Sequence, residues 1–160
     1  MDLDWVEQLV VFSLDAQRYA LRLSAVERVV RAVAVTPLPA APEIVQGMIN
    51  IEGQIVPVFN IRRRFRLPEK EMSLNDHLII ARTVRRKVAL LADSVSGLVE
   101  VPSAMVVDAS KILPQIEYVE GVAKLEDGMA LIHDLDGFLS LEEDRALDAV
   151  IKSVNGIILP

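Results

Sequence analysis

The chain repeats itself, and that repeat restricts the folds open to it more than any other feature. Residues 9–14 (Leu-Val-Val-Phe-Ser-Leu) read as an apolar strand, Asp15-Ala16-Gln17-Arg18 as a turn, and residues 19–23 as a return strand with Arg22 outward. The second half opens the same way. Leu78-Ile79-Ile80-Ala81 rises to a turn over residues 83–86, and Val88-Ala89-Leu90-Leu91 returns. At an offset of 69 positions Leu21 falls on Leu90, Val26 on Val95 and Val29 on Leu98. A second correspondence, at an offset of 74, lays residues 47–61 over residues 121–135. Both stretches leave a glycine, run four residues, turn at Glu52-Gly53 or Glu126-Asp127-Gly128, and return as an apolar strand. Glycine at such turns supplies the positive φ that tight hairpins demand.

The step from 69 to 74 makes the second copy five residues longer, in the region of residues 102–118. One copy, two hairpins with a strand between them, gives about five strands. The expected fold is therefore mostly β: two small, curled, five-stranded sheets or barrels sharing a core, closed so that little strand edge stays unpaired. The natural division puts a first barrel at about 9–65, supported by packing from the C-terminal helix, and a second at about 76–139. Both lie in one domain spanning 1–160. Apolar residues make up 52% of the sequence and aromatics only 4%, so the core is aliphatic and β-branched.

Helices are expected to be few. Residues 41–45 offer one turn with Pro42 at its start, and residues 109–113 another before Pro114. At the C-terminus Ser140 and Glu143 have capping-box spacing. Leu147, Val150, Ile151 and Val154 follow at i, i+3, i+4 and i+7, with Asn155-Gly156 as the expected stop.

The sequence carries little catalytic chemistry. It has no cysteine, which removes disulfides, thiolate metal sites and a cysteine nucleophile. His77 and His133 lie far apart with no second His at ligand spacing, so neither reads as a metal ligand. Asp134 and Asp136 share one face of an extended segment, which a loop at a strand end explains better than acid–base catalysis. There is no phosphate loop, nucleophile elbow or dinucleotide fingerprint, and no cofactor is expected. A net charge of −6 and few aromatics argue against nucleic acid. The basic clusters Arg62-Arg63-Arg64-Phe65-Arg66 and Arg85-Arg86-Lys87 read as a solvated strand end and a solvated turn. The acidic first residues do not resemble a secretory signal. The apolar runs fall far short of the ~20 residues of a membrane span, so a cytoplasmic protein without direct membrane insertion is expected. Function should then reside in exposed loops and strand edges.

Residues 47–62, Gly-Met-Ile-Asn-Ile-Glu-Gly-Gln-Ile-Val-Pro-Val-Phe-Asn-Ile-Arg, resemble the pattern of CheW proteins, in which Asn-Leu-Arg-Gly leads into a strand ending Pro-Val-Ile-Asp-Leu-Arg. The opening hairpin with Val26-Glu27, the segment Asp93-Ser94-Val95, and residues 128–135 with the acidic helix after them are similar to the family's other elements. The likeness runs from about residue 9 to about residue 150. It implies two SH3-like five-stranded β-barrel subdomains with a few short helices and a C-terminal helix, and no enzymatic activity. It also implies an adaptor that couples the cytoplasmic tip of chemoreceptors (methyl-accepting proteins) to the regulatory domain of a CheA-type histidine kinase, at receptor arrays beneath the inner membrane.

The resemblance places Val26, Val29, Gly47 and Glu52 at receptor-coupling positions. The hairpin residues Ile49, Ile51, Ile55 and Val58 become candidates for the kinase contact, and Gly53, Pro57 and Arg62 carry structural roles. Glu52 departs from the family's usual Arg, a reversal of charge that points to a specialised array. A kinase-docking regulator of a non-flagellar chemosensory pathway, without a classical receptor, is the rival within the family. A ligand-binding or enzymatic barrel is the rival outside it.

Overall fold

The computed structural model describes residues 5–32, 34–112 and 117–158. Eleven strands are described: β1 (Val6–Leu14), β2 (Gln17–Arg22), β3 (Val26–Arg31), β4 (Val45–Ile51), β5 (Gln54–Phe59), β6 (His77–Arg82), β7 (Lys87–Ala92), β8 (Ser94–Pro102), β9 (Val106–Asp108), β10 (Val119–Leu125) and β11 (Gly128–His133). A short helix α1 (Ala109–Ile112) and a long helix α2 (Leu141–Ile158) complete the set, with three one-turn 3-10 helices. The repeat is visible at once. β4 and β5 map onto β10 and β11 at 74 positions without a residue of error, and the extra length of the second copy holds β9 and α1.

The strands form two sheets, ordered β8-β1-β2-β11-β10-β9 (sheet A) and β3-β6-β7-β5-β4 (sheet B). This corrects the expected division at 9–65 and 76–139. Sheet A takes its β1–β2 hairpin from the first repeat and its β10–β11 hairpin from the second, whereas sheet B takes β6–β7 from the second and β4–β5 from the first. The halves of the chain exchange hairpins. The physical reason is the pair of parallel contacts at the centre of each sheet, β2 with β11 and β5 with β7. Parallel neighbours cannot be joined by a tight turn and need a long crossover, which only the other half of the chain supplies.

The exchange is symmetric down to single residues. The pair Val58–Ala89 in sheet B becomes Ile132–Ala20 in sheet A, and Val45–Phe59 becomes Val119–His133. Register shifts fall at matching places, between Val45 and Gly47 in β4 and between Val119 and Gly121 in β10. Likewise the pairs Val26–Ala81 and Arg28–Ile80 skip Glu27, as Val95–Phe12 and Gly97–Val11 skip Ser96. A bulge inserts one residue and sharpens the local twist, so these four sites bend both sheets alike. Gly47 and Gly121 sit at two of the bulges because neighbouring backbone approaches closely there, the segment at Thr36 that bridges to Met48 in one case and β9 in the other. A Cβ on Gly47 would stand 2.4 Å from the carbonyl oxygen of Thr36, and one on Gly121 3.0 Å from that of Val107.

Each sheet curls around its own apolar core. Leu9, Val11, Ala20, Val101, Ala123, Ala130 and Ile132 fill sheet A; Ile49, Val56, Val58, Leu78, Ile80, Ala89 and Leu91 fill sheet B. The opposite faces pack together through a third and larger cluster. In it Phe12, Leu14, Tyr19 and Leu21 of sheet A meet Phe59, Ile79, Val88 and Leu90 of sheet B, with Phe138 and Leu147. Helix α2 lays Leu147, Val150, Ile151 and Val154 on this central cluster, the stripe read from the sequence. Its N-terminus is a capping box: the Ser140 hydroxyl accepts from the Glu143 amide at 3.0 Å, and the Glu143 carboxylate from the Ser140 amide at 2.9 Å.

Two helix expectations change. Residues 41–45 form only a turn, closed by the Val45 amide donating to the Pro42 carbonyl. Helix α2 does not stop at Asn155-Gly156 but runs to Ile158. Gly inside a helix costs only about 1 kcal/mol relative to Ala, so an Asn-Gly pair is not by itself a stop. Of the second short helix, Leu113 and Pro114 lie outside the described residues.

Candidate interaction surface

The joint between the sheets is held by Arg62. The turn that follows β5 buries this guanidinium to 4% exposure. It donates to both carboxylate oxygens of Asp15, at 2.9 Å each, to Asp93 at 2.5 Å and to the Pro68 carbonyl at 3.0 Å. Asp15 lies in the β1–β2 turn of sheet A, and Asp93 is the residue at which the chain crosses from β7 of sheet B to β8 of sheet A. The Asp93 carboxylate also accepts from the Asp15 amide at 2.7 Å, and Lys70 lies 3.7 Å from it. The hydrogen bonds to Asp15 raise the Arg62 pKa above its ordinary value against the opposing effect of burial. Burial pushes Asp93 up, but the Arg62 bond, the Asp15 amide and the nearby cations together hold it below the usual carboxylate range. One Arg therefore ties a turn of each sheet and the crossover into one unit, a geometry for which the planar guanidinium fork is suited and an ammonium is not.

Arg64 and Arg86 are also corrections to the solvated reading, whereas Arg63, Arg66 and Arg85 stay exposed as expected. Arg64 reaches the Glu143 carboxylate and donates to the Phe138 carbonyl at 2.8 Å; its guanidinium lies 5.4 Å from the centre of the Tyr118 ring. Arg85 and Arg86 both pair with Asp144, at 2.6 and 2.9 Å. These residues clamp the start of α2 to the sheets. Their carboxylate partners lie far away in sequence, which is why local reading leaves them in solvent.

The candidate contact residues separate into three groups. Val26 and Val29 lie on the edge strand β3, on the face that their partners Ala81 and Ile79 turn toward the central cluster. Val26 is half-buried there and Val29 is 37% exposed. Its counterpart in the other repeat, Leu98 on the edge strand β8, is 53% exposed. The structure thus places apolar side chains at matching sites of two edges. Ile51 and Ile55 flank the β4–β5 turn and are half-buried. Ile49 and Val58, by contrast, are 5% and 0% exposed and belong to the inner core of sheet B, so they are not contact residues. In a strand the side chains alternate, and these two point inward. Gly47 is buried at its bulge and Pro57 is buried opposite Met48.

Glu52 stands apart from the valines. With Gly53 it forms the two-residue β4–β5 turn, both at positive φ (50° and 85°). The turn is braced by the Asn50 side chain, which accepts from the Gly53 amide at 2.9 Å. Left-handed backbone costs a residue with a β-carbon roughly 1–2 kcal/mol. The Glu52 carboxylate accepts from the Arg28 guanidinium at 2.8 Å. Arg28 pairs with Ile80, an inner-core residue, and so lies on the face of β3 away from Val26 and Val29. The receptor candidates are therefore not one patch. Local reading passed over Arg28 because its partner is 24 residues away; the signal available was the acid at a turn position that favours Gly or Asn.

His133 is buried between the edges of Phe65 and Phe138, with ring centres 5.5 and 5.2 Å away, and neither nitrogen has a hydrogen-bond partner among the described residues. Burial alone lowers its pKa to about 3. The Asp134 carboxylate accepts from the Gly137 amide and that of Asp136 from the Val84 amide, each in a loop. Among the described residues no group of three or more His, Asp or Glu is arranged to hold a metal ion, and no helix is long and apolar enough to cross a membrane.

A pair of hairpin-exchanged sheets, locked by a buried arginine and presenting apolar edge strands, defines a β interaction module rather than a reaction centre. The family model of the CheW-like domain matches residues 8–143, and the chain belongs to that family, the non-catalytic adaptor scaffolds of chemotaxis signalling. Among characterised relatives, a chemotaxis protein CheW of Treponema pallidum is 26% identical, over 88% of this chain and 86% of its own. One from Rhizobium meliloti is 28% identical over 87% and 91%. The crystal structure of the scaffolding protein TtCheW from Thermoanaerobacter tengcongensis superposes with a TM-score of 0.78 and 29% identity, covering 86% of this chain and 94% of that one.

Proposed function

We propose that this chain bridges the cytoplasmic tip of a chemoreceptor and the regulatory domain of a CheA-type histidine kinase, in arrays beneath the inner membrane. The observation that carries the reading is the family match over nearly the whole chain, with both repeats, all four bulges and the Arg62 joint inside it. A receptor tip is helical, and a helix docks by placing a few apolar side chains against a desolvated anchor. Val29, with Val26 beneath it, is that anchor. The kinase side uses the half-buried Ile51 and Ile55 at the end of sheet B.

The test is a titration of the purified chain against two fragments from its own genome, the kinase regulatory domain and a receptor tip. Val29→Asp should abolish tip binding and leave kinase binding unchanged, with a melt of the variant showing that it remains folded, since Val29 lies on an edge strand with 37% of its surface exposed. Binding to the kinase alone would favour the non-flagellar regulator. Binding to neither would leave the fold standing and the bridging role without support.

A further inference from the structure

The repeat lets the two inner cores be compared position by position, and they differ in volume. The cross-strand pair Ile49–Val56 of sheet B becomes Ala123–Ala130 in sheet A, and Ile80, opposite Ala89, becomes Val11, opposite Ala20. Leu91 becomes Arg22, whose guanidinium leaves the interior for Glu7 and Glu120. In return sheet A gains Ile132 for Val58 and Val101 for Ala32, which restores part of the volume. Interiors pack as densely as organic crystals, so a core of shorter side chains leaves space open where nothing fills it.

Sheet A has such a space beside its β10–β11 turn, a cavity of 850 Å³ that opens to solvent. Its walls are Val11, Val99, Val101 and Leu125, so it reaches the inner core. The volume falls within the roughly 300–1,000 Å³ of small-molecule sites. The rim is charged, and its charges do not cancel. Arg18 and Asp127 neutralise each other at 3.0 Å. Glu126 in the turn and Glu100 on β8 make no ion pair among the described residues, and Glu100 has a long contact from the Gln8 amide at 3.4 Å. Lys124, between the inward-facing Ala123 and Leu125, is rooted on the outer face of β10. Two carboxylates thus stand over an apolar cavity.

We propose that this end of sheet A is a binding site for a small amphipathic amine, with its apolar body against Val11, Val99 and Leu125 and its ammonium held by Glu126 and Glu100. A neutral apolar molecule satisfies the walls and leaves the carboxylates unused, and an anion meets repulsion at the rim. An ammonium there keeps part of its water while it donates charge-assisted hydrogen bonds, so it avoids the desolvation that a fully buried charge suffers. None of these residues is a receptor or kinase candidate. The site therefore goes beyond the bridging role and is tested apart from it.

The test follows the valine and leucine methyl resonances of the full chain by NMR during titration with phenethylamine, phenethyl alcohol and phenylacetate. Phenethylamine should shift the methyls of Val11, Val99 and Leu125 and saturate. The alcohol should bind about ten-fold more weakly, and phenylacetate more weakly still. Replacing both rim acids, Glu100→Gln with Glu126→Gln, should bring the amine down to the level of the alcohol without altering the fold, since both side chains are exposed. Val11→Ile, which installs the residue of sheet B, should weaken all three probes. Methyls of the cavity that stay unmoved by phenethylamine would overturn the proposal, as would three probes of equal affinity. Amine binding within about two-fold of wild type in the double Gln variant would overturn it too, even if Val11→Ile failed to fold. Self-association of the wild-type chain that Glu126→Lys abolishes would put a basic side chain of a second copy in the cavity, and would overturn the small-molecule site.

Discussion

His133 gives the sharpest test of the packing. In the repeat its counterpart is Phe59, which is fully buried in sheet B at the same register, so the site is built for an aromatic ring rather than for a base. Desolvation holds the folded-state pKa at about 3, against 6.5 for an exposed imidazole. The sign follows from where the proton goes. Below pH 6.5 the unfolded chain takes a proton that the folded chain refuses, so stability is full above that pH and falls as the solution is acidified, until the folded pKa is reached. At 1.36 kcal/mol per pH unit, with the titration only beginning at pH 7, the loss between pH 7 and pH 5 comes to about 2 kcal/mol. That is a sizeable share of the 5–15 kcal/mol typical of a domain, so about 2 kcal/mol is measurable. Urea unfolding at the two pH values is the assay, with His133→Phe as the comparison. The variant should be nearly flat over the interval and, having lost two buried unpaired nitrogens, at least as stable as wild type at pH 7. The carboxylates with lowered pKa, Asp93, Asp127 and Glu143, contribute mainly below pH 5, since their ordinary values are 3.8, 3.8 and 4.5. Equal losses in wild type and variant between pH 7 and pH 5 would refute the argument.

Two further perturbations address the exchange of hairpins. Arg62→Met should cost about 2–3 kcal/mol in a urea melt, less than the 3–5 expected of a fully buried pair because Asp15 keeps half of its side chain in water. Arg62→Lys should recover little of this, since an ammonium cannot span both carboxylates. Gly47→Ala should destabilise clearly more than Gly121→Ala, because the added Cβ meets a backbone oxygen at 2.4 Å in the first case and 3.0 Å in the second. The two glycines form an internal control. Equal effects in the two melts would show that the segment at Thr36 yields where the distances say it cannot.

Much of this architecture was legible because a repeat and a hairpin are both local patterns. The offset of 74 marked the hairpins of β4–β5 and β10–β11, though both first strands begin two residues before the glycines at 47 and 121, and the five-residue excess marked the segment that holds β9 and α1. Ser140 and Glu143 gave the start of α2, since a capping box is written in four consecutive residues. The pairing of hairpins was not legible. Nothing in residues 9–23 distinguishes a neighbour at 45–59 from the very similar one at 119–133, because the repeat makes the two nearly interchangeable. For the same reason the partners of Arg62, Arg64 and Arg86 were missed: each carboxylate lies 31 or more residues away, at a distance fixed only once the sheets are exchanged. Inward and outward faces at the β4–β5 hairpin were also ambiguous, and Ile49 and Val58 fell to the wrong side of that choice.

The exchange bears on what an adaptor must do. Were each half of the chain to build its own barrel, the two barrels would meet at one seam and could turn about it, and a partner held by one would communicate its position poorly to the other. Here each sheet has hairpins from both halves, and the parallel contacts β2–β11 and β5–β7 lie inside the sheets rather than between them. Separating the two halves of the chain would mean breaking these backbone ladders, and separating the sheets would mean breaking the central cluster around Phe12, Phe59 and Phe138 and the Arg62 joint. The edge strands β3 and β8 are therefore fixed relative to each other by covalent connection through the opposite sheet. A bridge whose two ends are held rigidly adds little ordering cost when the second partner binds, which favours assembly from contacts that are individually weak.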